Sequence, residues 1–167
     1  IGNNSLTHSA NTSQDYNVIV GNNAGQEIDS SENIVMGYSA GNDIDGAQNV
    51  AIGHSAMTGT SYGNSNSGNV AVGRSAHYWT NSGDYNTCLG YYASTYYNSA
   101  YNCVSIGKQA RASYGDCIAI GTSAGNSAST SNNYNIFIGY QAGYDQDGGD
   151  DCIFLGTNAG FGGGNGD

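Results

Sequence analysis

Proline is absent from this 167-residue chain, and positive charge nearly so: Arg74, Lys108 and Arg111 face thirteen acidic residues, for a net charge of -10. Large apolar residues are scarce as well, with Leu, Ile, Val and Phe totalling 25, or 15 % of the chain. Each shortage excludes something. A protein that grips a phosphate backbone needs a basic stripe, and three scattered cations cannot make one, so nucleic acid is excluded as a partner. No apolar run approaches the ~20 residues that span a bilayer, so no membrane insertion is expected of this segment. There is no charged-then-apolar leader and no initiating Met. The chain opens on Ile1-Gly2, which falls in the middle of a repeat, and reads as a fragment of a longer protein. So few large apolar residues under so strong a charge would by themselves predict disorder. Their placement predicts the opposite.

What the chain has is glycine, 27 residues of it, set in a repeat. Asn17-Val-Ile-Val-Gly-Asn-Asn-Ala-Gly25 returns as Asn33-Ile-Val-Met-Gly-Tyr-Ser-Ala-Gly41 and then as Asn49-Val-Ala-Ile-Gly-His-Ser-Ala-Met57. Further copies follow at 69–77, 86–94, 103–111, 117–125, 135–143 and 152–160. The central glycines are Gly2, Gly21, Gly37, Gly53, Gly73, Gly90, Gly107, Gly121, Gly139 and Gly156, spaced 14 to 20 residues apart. A fixed nine-residue unit joined by inserts of 5 to 11 residues is the pattern of a solenoid with loops on one face. Of the 25 large apolar residues, 21 occupy the three positions before these glycines. Three residues rich in Val and Ile, closed by Gly, are too short for a helix and form a strand. An Ala three residues beyond each Gly returns the chain inward where only a small side chain fits. The fold class is therefore all-β, a parallel β-solenoid of about ten coils with like residues stacked ~4.8 Å apart. The array covers residues 1–160, and residues 161–167 form a Gly-rich flexible end.

Strand side chains alternate between two faces. Residues one and three before the Gly, such as Val18 and Val20, share one face, and the residue between them takes the other. In most copies that middle residue is also apolar: Ile19, Val35, Ala51, Ala71, Cys88, Ala119, Phe137, Phe154. A strand apolar on both faces is buried on both. One thin coil covers a single face, so the middle row, foremost Ile19, Val35, Phe137 and Phe154, is expected to meet other chains around a common axis.

The repeat resembles the YadA-like head repeat of trimeric autotransporter adhesins, which also occurs in phage tail fibres. The copy Cys103-Val-Ser-Ile-Gly-Lys-Gln-Ala-Arg-Ala-Ser-Tyr-Gly-Asp116 fits that family's 14-residue coil without insertion. The resemblance implies a left-handed parallel β-roll and a homotrimer, three chains side by side, that projects from a surface and binds. This chain departs from the family in its longer inserts and in Asn or Cys where Ser usually precedes the strand. Such a signature speaks to architecture more than to ligand.

Several motifs resemble catalytic or metal sites. Gly37-Tyr-Ser-Ala-Gly41 and Gly121-Thr-Ser-Ala-Gly125 match a nucleophile elbow, but Asn23, Gln109, Gln141 and Asn158 fill the same slot in sister copies. The serine is then one turn residue among several, and no enzyme is expected. His8, His54 and His77 read as solvent-facing variation. Asp43-Ile-Asp45-Gly46 and the run Asp145, Asp147, Asp150, Asp151 open like Ca²⁺ loops, the second being the better candidate; the competing reading is that Asp and Gly simply make turns. No other cofactor is implied. Cys103 and Cys117 hold one slot in consecutive coils, close enough either to bridge or to stack as thiols. Sister copies place Asn17, Asn33, Asn49, Asn69, Asn86 and Asn135 there, a stacked amide ladder. Autotransporters cross an outer-membrane pore that a premature disulfide would obstruct. Cysteines therefore favour a fibre assembled in the cytoplasm, where thiols stay reduced.

Aromatic residues concentrate in residues 78–101, which hold eight of the eighteen. Tyr78, Trp79, Tyr96 and Tyr97 are the foremost receptor-binding candidates, since loop aromatics join large contact area to a polar tip. They suit packing along the rod equally well. The acidic charge argues against nucleic acid or sulfated glycans and favours a neutral surface glycan or a protein receptor. The expected function is a structural and attachment segment of a trimeric fibre, as in a phage or virus tail fibre, located in the virion tail or outside the cell. The alternatives are the head of a bacterial adhesin on the cell surface, a self-assembling extracellular filament, and a glycan-degrading tailspike.

Overall fold

The computed structural model describes residues 1–6, 15–59, 66–78, 83–95, 99–126, 133–146 and 149–162. Eleven short strands follow one another: β1 (Val18–Val20), β2 (Ile34–Met36), β3 (Val50–Ile52), β4 (Val70–Val72), β5 (Thr87–Leu89), β6 (Ser94–Thr95), β7 (Val104–Ile106), β8 (Arg111–Ala112), β9 (Ile118–Ile120), β10 (Ile136–Ile138) and β11 (Ile153–Leu155). Nine of them stack into one sheet in the order β1-β2-β3-β4-β5-β7-β9-β10-β11, every pair parallel, and β6 pairs with β8 in a second small sheet. The described residues contain no helix. The chain is a parallel β-solenoid. Its main sheet has nine rungs where about ten coils were expected. Ile1 and Asn3 hydrogen-bond to the next coil, but the partial first copy forms no strand.

Register is exact from coil to coil, because three elements of each repeat admit no slip. The first is the central glycine. At Gly73 φ is +135°, and an added Cβ would lie 2.5 Å from the Gly90 carbonyl oxygen of the next coil. Only glycine lets the coils approach this closely. The second is the buried asparagine slot. The Asn33 backbone N–H donates to Asn17 Oδ1 at 2.8 Å, Asn49 to Asn33 at 2.9 Å, Asn69 to Asn49 at 2.9 Å and Asn86 to Asn69 at 2.7 Å. The amides point back into the loops, as Asn69 Nδ2 does to the Gly83 carbonyl at 2.8 Å. Cysteine imitates this weakly: the single Cys103 Sγ–H has the Tyr101 and Tyr114 carbonyls as alternative acceptors at 3.4 Å each. The third element is alanine. Ala24, Ala40, Ala56, Ala76, Ala93, Ala110, Ala124 and Ala142 are fully buried.

The two faces of the strand are reversed from the sequence expectation. Val35 and Phe137 are completely buried inside the coil, and Ile19 and Phe154, near the two ends, pack against the same core. They are core residues, not a surface offered to another chain. The reason is parity. The asparagine four residues before the Gly points inward, so the residue two before it does too, and positions one and three before it point out. Seventeen of those eighteen outward positions are Val, Ile, Leu or Met, and the other is Thr87.

Inside the coil, volume is exchanged between the middle strand position and the position four residues after the central Gly. Ile19, Val35, Phe137 and Phe154 face Gly25, Gly41, Gly143 and Gly160; an added Cβ on these glycines would fall 2.9, 2.8, 2.1 and 2.7 Å from those side chains. Where the strand carries Ala51 or Ala71, the same turn position carries Met57 or His77, both buried. Ile28 and Ile44, which lie in inserts, add to this core.

Candidate functional site

The turn following each central Gly builds an outward corner of the solenoid. Its second residue is held at positive φ in every copy, for example Asn23 at 54°, Ser39 at 51°, Gln109 at 57° and Ser123 at 56°. Its backbone N–H bonds to the coil before, as Ser39 does to the Asn22 carbonyl at 3.0 Å and Ser123 to the Lys108 carbonyl at 2.9 Å. The two G-x-S-x-G sequences are thus two copies of this repeating turn.

The first residue of the corner stacks from coil to coil. Tyr38 lies on His54 with ring centroids 5.2 Å apart and planes 26° from parallel. The Arg74 guanidinium carbon stands 5.8 Å from the centre of the Tyr91 ring, and Tyr91 meets Tyr92 edge-on at 4.7 Å. Beside this row lies a surface pocket of about 370 Å³, lined by His54, Ser55, Arg74, Ser75, Tyr78, Tyr92, Ser94 and Arg111. It crosses four successive coils. Ser94 and Arg111 are in register across β6 and β8, which sets the Arg111 backbone at the pocket edge. The cations that looked scattered in the sequence are not scattered in space: two of the three line one pocket. Among the described residues, neither Arg74 nor Arg111 is paired with a carboxylate, and the buried Nε of Arg111 has no hydrogen-bond partner.

Of the receptor-binding candidates, Tyr78 lines the pocket. Trp79, Tyr96 and Tyr97 lie outside the described residues, as does His8. Sequence reasoning missed the arginines, His54, Tyr92 and the serines. They are remote in the chain, and only alignment of the copies would have revealed that His54, Arg74 and Tyr91 share one corner slot.

The remaining candidates fall as follows. His77 is wholly buried, which corrects its reading as a solvent-facing residue; burial lowers its pKa from 6.5 to about 4, and its Nδ1 is 3.2 Å from Cys88 Sγ. Cys88, Cys103, Cys117 and Cys152 are all free thiols. The Cys103 thiol is pushed up, first by its hydrogen bond with Cys117 and then by burial, and the same bond pulls Cys117 down to about 6. In the acidic loop the Asn133 N–H donates to Asp150 Oδ1 at 2.8 Å, and Asp145 and Asp151 donate through their backbones to the Asn126 and Asn133 carbonyls. Asp147 lies outside the described residues, among which no three His, Cys, Asp or Glu side chains are grouped to hold a metal. Asp43 is raised to about 6 by burial and by its hydrogen bond and charge contact with Glu27. Comparison with protein-family models, curated proteins and solved structures finds no match to this chain.

Proposed function

We propose that this chain is a structural and attachment segment of a homotrimeric fibre, of the tail-fibre kind, that holds a binding corner out from a surface and does no covalent chemistry. The observation that carries this reading is the outward face of the main sheet. It is an almost unbroken aliphatic stripe of nine rungs, about 38 Å long at the ~4.8 Å rung spacing. In the lone chain six of its eighteen members are exposed, among them Val18 at 51 %, Met36 at 41 % and Leu155 at 73 % near the ends, and the other twelve are half-buried. A contiguous apolar strip of that length marks an interface. Copies of the same chain match it in length, rise and register, so a cyclic assembly about an axis along the rod covers all three stripes at once. The repeat's resemblance to the YadA-like head, with its left-handed roll of three chains, is what favours three as the number. Cysteines stacked in one slot, able to bridge before export, favour a fibre assembled in a reducing compartment over an exported adhesin.

Native mass measurement tests this, with three chains expected. Val72 lies midway along the stripe and is 36 % exposed in the single chain, so Val72→Asp should leave the coil folded by circular dichroism yet release monomers. A folded wild-type monomer, or a Val72→Asp trimer, would overturn the assembly.

A further inference from the structure

We infer that the pocket between His54 and Arg111 is a binding site for a carboxylate-bearing sugar, the acidic unit of a surface glycan. The inference rests on the reading of this segment as an attachment surface but not on its being trimeric. In a chain of thirteen acids and three cations, two arginines line the same pocket and neither has a carboxylate partner among the described residues. Guanidinium groups present planar forks that match a carboxylate.

The remaining lining fits a sugar ring. Ser55 and Ser75 supply hydroxyls that both donate and accept, the Ser94 hydroxyl, which donates to the Thr95 carbonyl at 3.0 Å, is left to accept, and Tyr78 and Tyr92 supply flat faces with a polar tip. About 370 Å³ lies within the range of pockets that hold small molecules. Whole-molecule charge of -10 opposes a polyanion at long range, whereas a single carboxylate meets chiefly the two nearby arginines. Local charge here outweighs the net charge that pointed to neutral glycans.

The test is titration of the full chain with glucuronate, N-acetylneuraminate, glucose, glucose 6-sulfate and inorganic sulfate at one fixed ionic strength, followed by tyrosine NMR signals. Saturable binding of at least one carboxylated sugar is expected, at least tenfold tighter than glucose and than inorganic sulfate. Arg74→Gln and Arg111→Gln should each weaken it roughly ten- to a hundredfold. Arg74 is exposed, so its variant separates loss of binding from loss of fold. Glucose bound as well as the acids, sulfate or glucose 6-sulfate bound as tightly, no binding at all, or indifference to both substitutions would each overturn the inference. Oligomeric state is measured on the same sample. A trimer that binds no acid sugar leaves the fibre standing, and a monomer that binds one leaves the pocket standing.

Discussion

At the scale of the residue, single side chains fit their slots because sister copies rehearse the alternatives. His77 fills a buried position that Met57 fills one coil earlier. Its pKa near 4 when folded, against 6.5 when unfolded, means that the unfolded chain binds the extra proton first as pH falls. Stability is therefore lost as pH drops from about 6.5 towards 4 and levels off below, by roughly 3 kcal/mol for this group. Asp43 acts in the opposite sense: its folded pKa of about 6 exceeds its ordinary 3.8, so its contribution is present at low pH and lost as pH rises through 6. Substituting His77→Met should flatten the acid limb, read as the difference between variant and wild-type denaturation midpoints at pH 4.5 and 7.5. Because Asp43 is common to both proteins, an unchanged difference would show that His77 takes up its proton in the folded state as readily as in the unfolded one.

At the scale of the element, a coil is a closed volume shared by one strand residue and one turn residue. Phe137 and Gly143 share it at one rung, Ala51 and Met57 at another. Phe137→Ala should cost about 3–5 kcal/mol, since it empties a fully buried ring site between coils. Adding Gly143→Met should restore a substantial part, because Met57 already adopts the required positive φ, at 47°, in the sister turn. Urea denaturation of the two single variants and the double gives the coupling directly. Additive losses would mean that the two positions do not exchange volume. Much of this was legible beforehand. The glycine spacing, the three-residue strands, the stacked asparagines and the small inward alanines follow from the repeat and stand in the structure as expected. The direction of the middle strand residue did not follow. Its apolarity is equally consistent with either face, and the deciding fact is the inward amide four residues before the Gly.

At the scale of the whole molecule, the proposed assembly would tie stability to the aliphatic stripe. A chain whose outer sheet face is covered only by its own copies gains stability from mass action. The melting temperature should rise with protein concentration in the wild type and be independent of it in Val72→Asp. A concentration-independent wild-type transition, measured over a hundredfold range, would separate folding from association and argue for a stripe left bare or covered from within. The same scale explains why the candidate pocket escaped the sequence. Four coils contribute to it, and no stretch of chain contains more than a fragment of the set.

The sequence by itself determined the period, the strand positions and the parallel stack, because glycine, asparagine and alanine each recur where only one local geometry accepts them. Only the tertiary structure decided which strand face is inside, that His77 is buried, and that Arg74 and Arg111 line one pocket. The physical reason is common to all three. Stacking at a fixed rise turns equal positions in successive copies into neighbours, and whether those neighbours point into the coil or away from it depends on the closure of the whole turn, including inserts whose length varies from copy to copy.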